Sequence, residues 1–133
     1  MPADKENQSR LTRILLDGFK TICDLDLEMG QKNILIGANG AGKSNLLSFF
    51  SMLNWITGSQ GGLQEYVAKS GGASSLLRDG PEVTERIRAK LCFDTARGAN
   101  EYQARLAFAS GDTLIFTEES FRFARADLGY VPD

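Results

Sequence analysis

Histidine is absent from all 133 residues. Imidazole general bases and imidazole metal ligands are excluded with it. Cysteine is scarce: Cys23 and Cys92 are too few for a structural zinc site and too far apart for a CxxC pair. They read as two reduced, semi-buried thiols, with a disulfide as the alternative. Net charge is small, −2, so no strong overall field draws the chain to nucleic acid or anionic lipid, although a local basic patch stays open. No apolar run approaches the roughly 20 residues that cross a bilayer. Residues 1–10 are polar, with no apolar segment of a signal peptide behind them. These absences predict a cytoplasmic protein with no membrane partner and a flexible tail over residues 1–10. With 42% hydrophobic and 24% charged residues, the remainder has an ordinary globular composition, and its length suits one domain.

Residues 11–17 are rich in Ile and Leu and read as a strand, which Gly18 breaks. Over residues 23–29, Cys23, Leu25, Leu27 and Met29 alternate with Asp24, Asp26 and Glu28, the period of a half-exposed strand with a solvated acidic face. Ile34, Leu35 and Ile36 form a short continuous apolar run, typical of a strand covered on both faces. Beyond a glycine-rich stretch, Leu46, Leu47, Phe50 and Leu53 recur at helical spacing, with Gly58 as the stop. Residues 58–81 are glycine-dotted and predict a mobile connector with short helices over 63–69 and 73–77. Residues 82–124 predict an antiparallel meander. Ile87, Ala89, Leu91 and Phe93 alternate with charged residues, Tyr102, Ala104, Leu106 and Phe108 follow suit, and Gly111-Asp112 makes a turn. Arg86, Arg88, Lys90 and Arg105 then share a face, read as a solvated outer face or as a DNA or partner surface.

Between the apolar strand and the amphipathic helix stands Gly37-Ala38-Asn39-Gly40-Ala41-Gly42-Lys43-Ser44, which fits G-x-x-x-x-G-K-[ST] at every fixed position. A triphosphate needs several N–H donors converging from one short loop. Glycines at 37, 40 and 42 let the backbone approach without a Cβ in the way. The following helix adds unpaired N–H groups and the positive end of its dipole. Lys43 is expected to reach the β- and γ-phosphates, and Ser44 to ligate Mg²⁺. The loop therefore predicts a Walker A site for ATP and Mg²⁺.

Asn39 and Asn45 make the loop GANGAGKSN, and Gly18-Phe19-Lys20 lies some twenty residues earlier. With the acidic strand between, this order resembles the ATPase heads of structural-maintenance-of-chromosomes, RecF and related ABC-type ATPases. It also resembles predicted AAA/RecF-like ATPases related to overcoming-lysogenization-defect (OLD) proteins. The resemblance is specific in the loop and looser after Gly58. It implies an α/β fold: a partial P-loop NTPase core in residues 33–57, the connector over 58–81 and a peripheral antiparallel β-meander over 82–124, as in lobe I of an ABC-type head. It also implies that residues 11–133 are the N-terminal part of such a head. Asn45 joins the nucleotide-binding set, Lys20 would approach the nucleotide, and Arg78 would lie near nucleotide or nucleic acid; on the residues alone, both cations read as ordinary surface residues. The implied partners are ATP, a C-terminal lobe, a second head and DNA, in a setting of DNA repair, chromosome maintenance or phage defence.

Hydrolysis by such a head also needs a Walker B strand, a signature motif of LSGGQ type and, usually, a switch histidine. None is recognisable here. Residues 114–119 mimic a Walker B run, but Thr117 stands where the magnesium-holding Asp belongs. Gln60, Gln64 and Gln103 are weak candidates for a Q-loop. The expectation is binding without turnover by this chain alone. The alternatives are a nucleotide-dependent interaction module and a small-molecule P-loop kinase, and the meander argues against the kinase.

Overall fold

The computed structural model describes residues 9–30 and 43–125. The strand expected over 33–36, the loop glycines and most of the N-terminal tail lie outside them. Alternating apolar residues form β1 (Arg10–Asp17), β2 (Leu25–Glu28), β3 (Arg86–Thr95), β4 (Gly98–Ala109) and β5 (Thr113–Arg125). They make one antiparallel five-stranded sheet in the order β2-β1-β3-β4-β5. The expected meander is present as β3–β5. β1 joins it by pairing with β3, setting Ile14 opposite Leu91 and Asp17 opposite Arg88. β2 is shorter than the alternation suggested. Asp24 takes a left-handed conformation, φ 50°, which delays pairing until Leu25 and leaves Cys23 exposed. Residues 114–124 form a single strand with a bulge opposite Arg105/Leu106.

One face of the sheet carries the core. Ile14, Leu16, Ile87, Ala89, Leu91, Tyr102, Ala104, Leu106 and Leu114 are buried there with residues from two helices, α1 (Lys43–Gly58) and α2 (Gly62–Lys69). The helix expected after the loop is therefore present, but its buried face runs through Leu46, Phe49 and Met52, and Leu47 is 61% exposed. Successive residues on a helix point about 100° apart, so Leu46 and Leu47 cannot both face the core.

The expected connector is packed. Leu63, Tyr66, Val67, Ala73, Leu76 and Leu77 are all buried. A 3₁₀ turn over Ala73–Ser75 is held by the β4–β5 turn: Asp112 accepts from the Ser74 backbone N–H at 2.8 Å and the Ser74 hydroxyl at 3.0 Å, and its own carbonyl accepts from the Ala73 N–H at 2.8 Å. Among the described residues no helix is long and apolar enough to cross a membrane.

Candidate functional site

The first two residues of α1 are the last two of the phosphate-loop motif, Lys43 and Ser44. Gly37, Ala38, Asn39, Gly40, Ala41 and Gly42 lie outside the described residues. Lys43 is half-buried and Ser44 exposed. The first turn of α1 contains no acidic residue, so its positive dipole end is not offset from within the helix. Burial of Leu46, Phe49 and Met52 fixes the helix against the core and so sets where that end points.

A tight turn after β1 meets this helix. Gly18 (φ 86°) and Lys20 (φ 51°) both adopt left-handed conformations. The Gly18 N–H donates to the Ile22 carbonyl at 3.0 Å, and the Ile22 N–H to the Phe19 carbonyl at 2.8 Å. The turn drives the Phe19 ring fully into the core, edge-on to Phe49 at 5.6 Å. Lys20 then emerges beside α1. Its Nζ donates to the Ser48 hydroxyl at 3.3 Å, which itself donates to the Ser44 carbonyl at 2.9 Å. Asn45 Nδ2 donates to Thr21 Oγ1. Lys20, Lys43, Ser44 and Asn45 are thus gathered at one helix end. Lys20 is half-buried, and among the described residues it has no carboxylate within ion-pair distance. A half-buried ammonium beside a helix N-terminus repels the dipole unless an anion joins them.

Thr21 and Ser48 escaped the sequence reading. Ser48 carries a weak signal, since it lies four residues after Ser44 and so on the same side of the helix. Thr21 carries none without the fold.

Arg78 meets the same turn from its other flank. Its backbone N–H donates to the Gly18 carbonyl at 3.0 Å, and its side chain lines a surface cleft of about 700 Å³ with Asp17, Cys23, Asp24, Arg86 and Arg88. Asp17, Cys23 and Asp24 offer ligand atoms within 4.8 Å of one another. Their chemistry is that of an ion-paired corner. The hydrogen bond from Arg88 holds the Asp17 carboxyl below its usual value despite partial burial. Removal from water, with Asp24 and Asp17 adding to it against the pull of Arg78, pushes the Cys23 thiol up. Cys23 donates to Asp24 at 3.6 Å.

The charged outer face of the sheet is largely neutralised. Arg88 pairs with Asp17 at 2.7 Å, Lys90 with Glu101 at 3.4 Å and Arg105 with Glu118 at 3.3 Å. In the segment that mimics Walker B, Glu118 is thus engaged by Arg105, Glu119 accepts from the Tyr102 hydroxyl at 3.0 Å, and Thr117 donates to the Arg105 carbonyl at 3.3 Å. Burial, reinforced by Glu119, pushes the Tyr102 hydroxyl well above the ordinary tyrosine value. Gln103 donates to Glu101 at 2.7 Å, and Gln60 and Gln64 line a groove at the far end of α1.

Residues 32–126 match a protein family described as AAA domain, putative AbiEii toxin, Type IV TA system. No curated protein matches the chain.

Proposed function

The chain belongs to this AAA-domain family, whose P-loop ATPase character implies nucleotide binding, and from that membership we propose that it binds MgATP through residues 37–44. The observation that carries the reading is the attachment of Lys20 to Ser48 and of Asn45 to Thr21 on the first turns of α1, the helix that opens on Lys43 and Ser44. Lys43 and Lys20 supply charge for the phosphates. The exposed Ser44 hydroxyl is the protein ligand for Mg²⁺, which neutralises phosphate charge when bound. In the finer reading, the chain is the N-terminal portion of a RecF/SMC-like or OLD-like ATPase head acting in DNA maintenance, repair or phage defence. The α1 start and the β1–β2 turn form one wall of the nucleotide site, and a C-terminal lobe supplies the rest.

Titration calorimetry with MgATP tests the core of this reading. Saturable binding is expected, and Lys43→Ala should weaken it by about 10- to 100-fold, the loss of one charge-assisted contact. A folded sample that binds no ATP at millimolar concentration, or a Lys43→Ala variant that binds as well as the parent, overturns it. A second reading, a nucleotide-dependent interaction module without hydrolysis, is favoured by the engagement of Glu118 and Glu119 within the sheet.

A further inference from the structure

We infer that Thr21 and Ser48 are positioning residues of the nucleotide site, acting through Asn45 and Lys20. The inference rests on the MgATP reading above and adds to it two residues that the loop motif does not contain. Four side chains form two parallel links between the β1–β2 turn and the first two turns of α1. In the first, the Thr21 hydroxyl accepts from the Asn45 carboxamide, the residue directly after Ser44. In the second, the Ser48 hydroxyl accepts from the Lys20 ammonium at 3.3 Å and donates to the Ser44 carbonyl at 2.9 Å. Ser48 is itself fixed from the opposite side, because the buried Tyr66 donates its hydroxyl to the Ser48 carbonyl at 3.0 Å.

The turn is rigid on its other flank as well. The Lys20 N–H donates to the Leu76 carbonyl at 2.7 Å, and the Arg78 N–H donates to the Gly18 carbonyl at 3.0 Å. Its backbone is therefore set by the fold, with or without the two hydroxyls. What the hydroxyls add is direction. An unlinked lysine side chain explores many rotamers, and its charge is spread over a large volume. Held on Ser48, the Lys20 ammonium stays beside the α1 start, with donor capacity left for an anion. Asn45, tied to Thr21, holds its carboxamide in one direction beside Ser44. Both residues then act on ligand affinity more than on folding.

The experiment measures MgATP affinity by calorimetry and, on the same samples, the melting temperature without nucleotide. Thr21→Val and Ser48→Ala should each weaken MgATP binding about three- to tenfold, the worth of one modest hydrogen bond. Melting without nucleotide should stay close to the parent. Thr21→Ser should restore affinity, since it keeps the hydroxyl. Thr21→Val should have no further effect in an Asn45→Ala background, and Ser48→Ala none in a Lys20→Ala background, because each pair acts as a unit. Parent-like affinity in both single variants overturns the inference, as does a Thr21→Ser variant as weak as Thr21→Val. Melting that falls in step with affinity also overturns it, because the role is then structural. Lys43→Ala keeps the two failures apart. If it binds like the parent, the loop reading itself has failed. If it alone weakens binding, only the positioning roles fall.

Discussion

Gly18 and Phe19 show how much one turn controls. A Cβ on Gly18 would lie 2.3 Å from the Arg86 carbonyl oxygen, at a φ of +86°. Backbone cannot yield as a side-chain tip can, so Gly18→Ala should cost more than about 1 kcal/mol. Phe19 is fully buried against Phe49, and Phe19→Ala should cost about 3–5 kcal/mol. Urea denaturation checks both, and a loss under about 0.5 kcal/mol in either would contradict the packing described. The Gly-Phe-Lys triplet was visible in the sequence only as a resemblance. Its physical reason lies in Arg86, far along the chain, and no local pattern carries that information.

At the scale of elements, periodicity revealed the strands and missed what lies between them. β3 and β4 alternate cleanly because one face is buried and the other ion-paired, so each residue announces its side. The face of α1 was half legible, since adjacent leucines at 46 and 47 satisfy a helical pattern in two registers and only packing decides. Glycines at 61, 62, 71 and 72 suggested looseness over residues 58–81. Two of them serve close approach instead: a Cβ on Gly62 would lie 1.8 Å from the Trp55 carbonyl oxygen, and one on Gly72 2.1 Å from the Asp112 carboxylate. The loop motif was the most legible feature of the candidate site, whereas the hydroxyls of Thr21 and Ser48 gain meaning only from tertiary contact.

The paired outer face of the sheet also sets a pH dependence. Hydrogen bonds from Arg88 and Arg13 hold Asp17 and Asp26 below their ordinary values. Their contribution to stability is present above the unfolded carboxylate value of about 4 and is lost as pH falls through the lower folded values. Melting temperature should therefore fall below about pH 4, and the acid limb should be shallower in Asp17→Asn. Scanning calorimetry across pH checks this; an acid limb unchanged in the variant would mean that the Arg88 pair adds nothing measurable.

For the whole molecule, the chain should show no steady ATP hydrolysis, because the only carboxylates resembling a Walker B end are engaged in the sheet. A phosphate-release assay tests this. Turnover abolished by Glu118→Gln or Glu119→Gln would restore that segment as a catalytic strand. Self-association should likewise ignore nucleotide. Phe121 is 78% and Phe123 51% exposed on β5, which ends the strand order among the described residues. Exposed aromatic side chains on such a strand invite contact without a ligand. Sedimentation with and without MgATP should give the same distribution, and a dimer that needs ATP and vanishes in Lys43→Ala would refute this.

The position of β1 inside the sheet governs how the protein is made. β1 leaves the ribosome before its partner β3, which follows 71 residues later, counting from Asp17 to Arg88. At about 5–20 residues per second, β1 waits roughly 4–14 s before that pairing is possible. During that interval β1 lacks its β3 neighbour, and of its two strand pairings only the short one with β2 is within reach. Protease protection of stalled nascent chains should accordingly rise in one late step, once β3 and β4 have cleared the exit tunnel, and not gradually with length. Synthesis of this sheet thus carries a long period of exposure to chaperones and proteases, created by strand order alone.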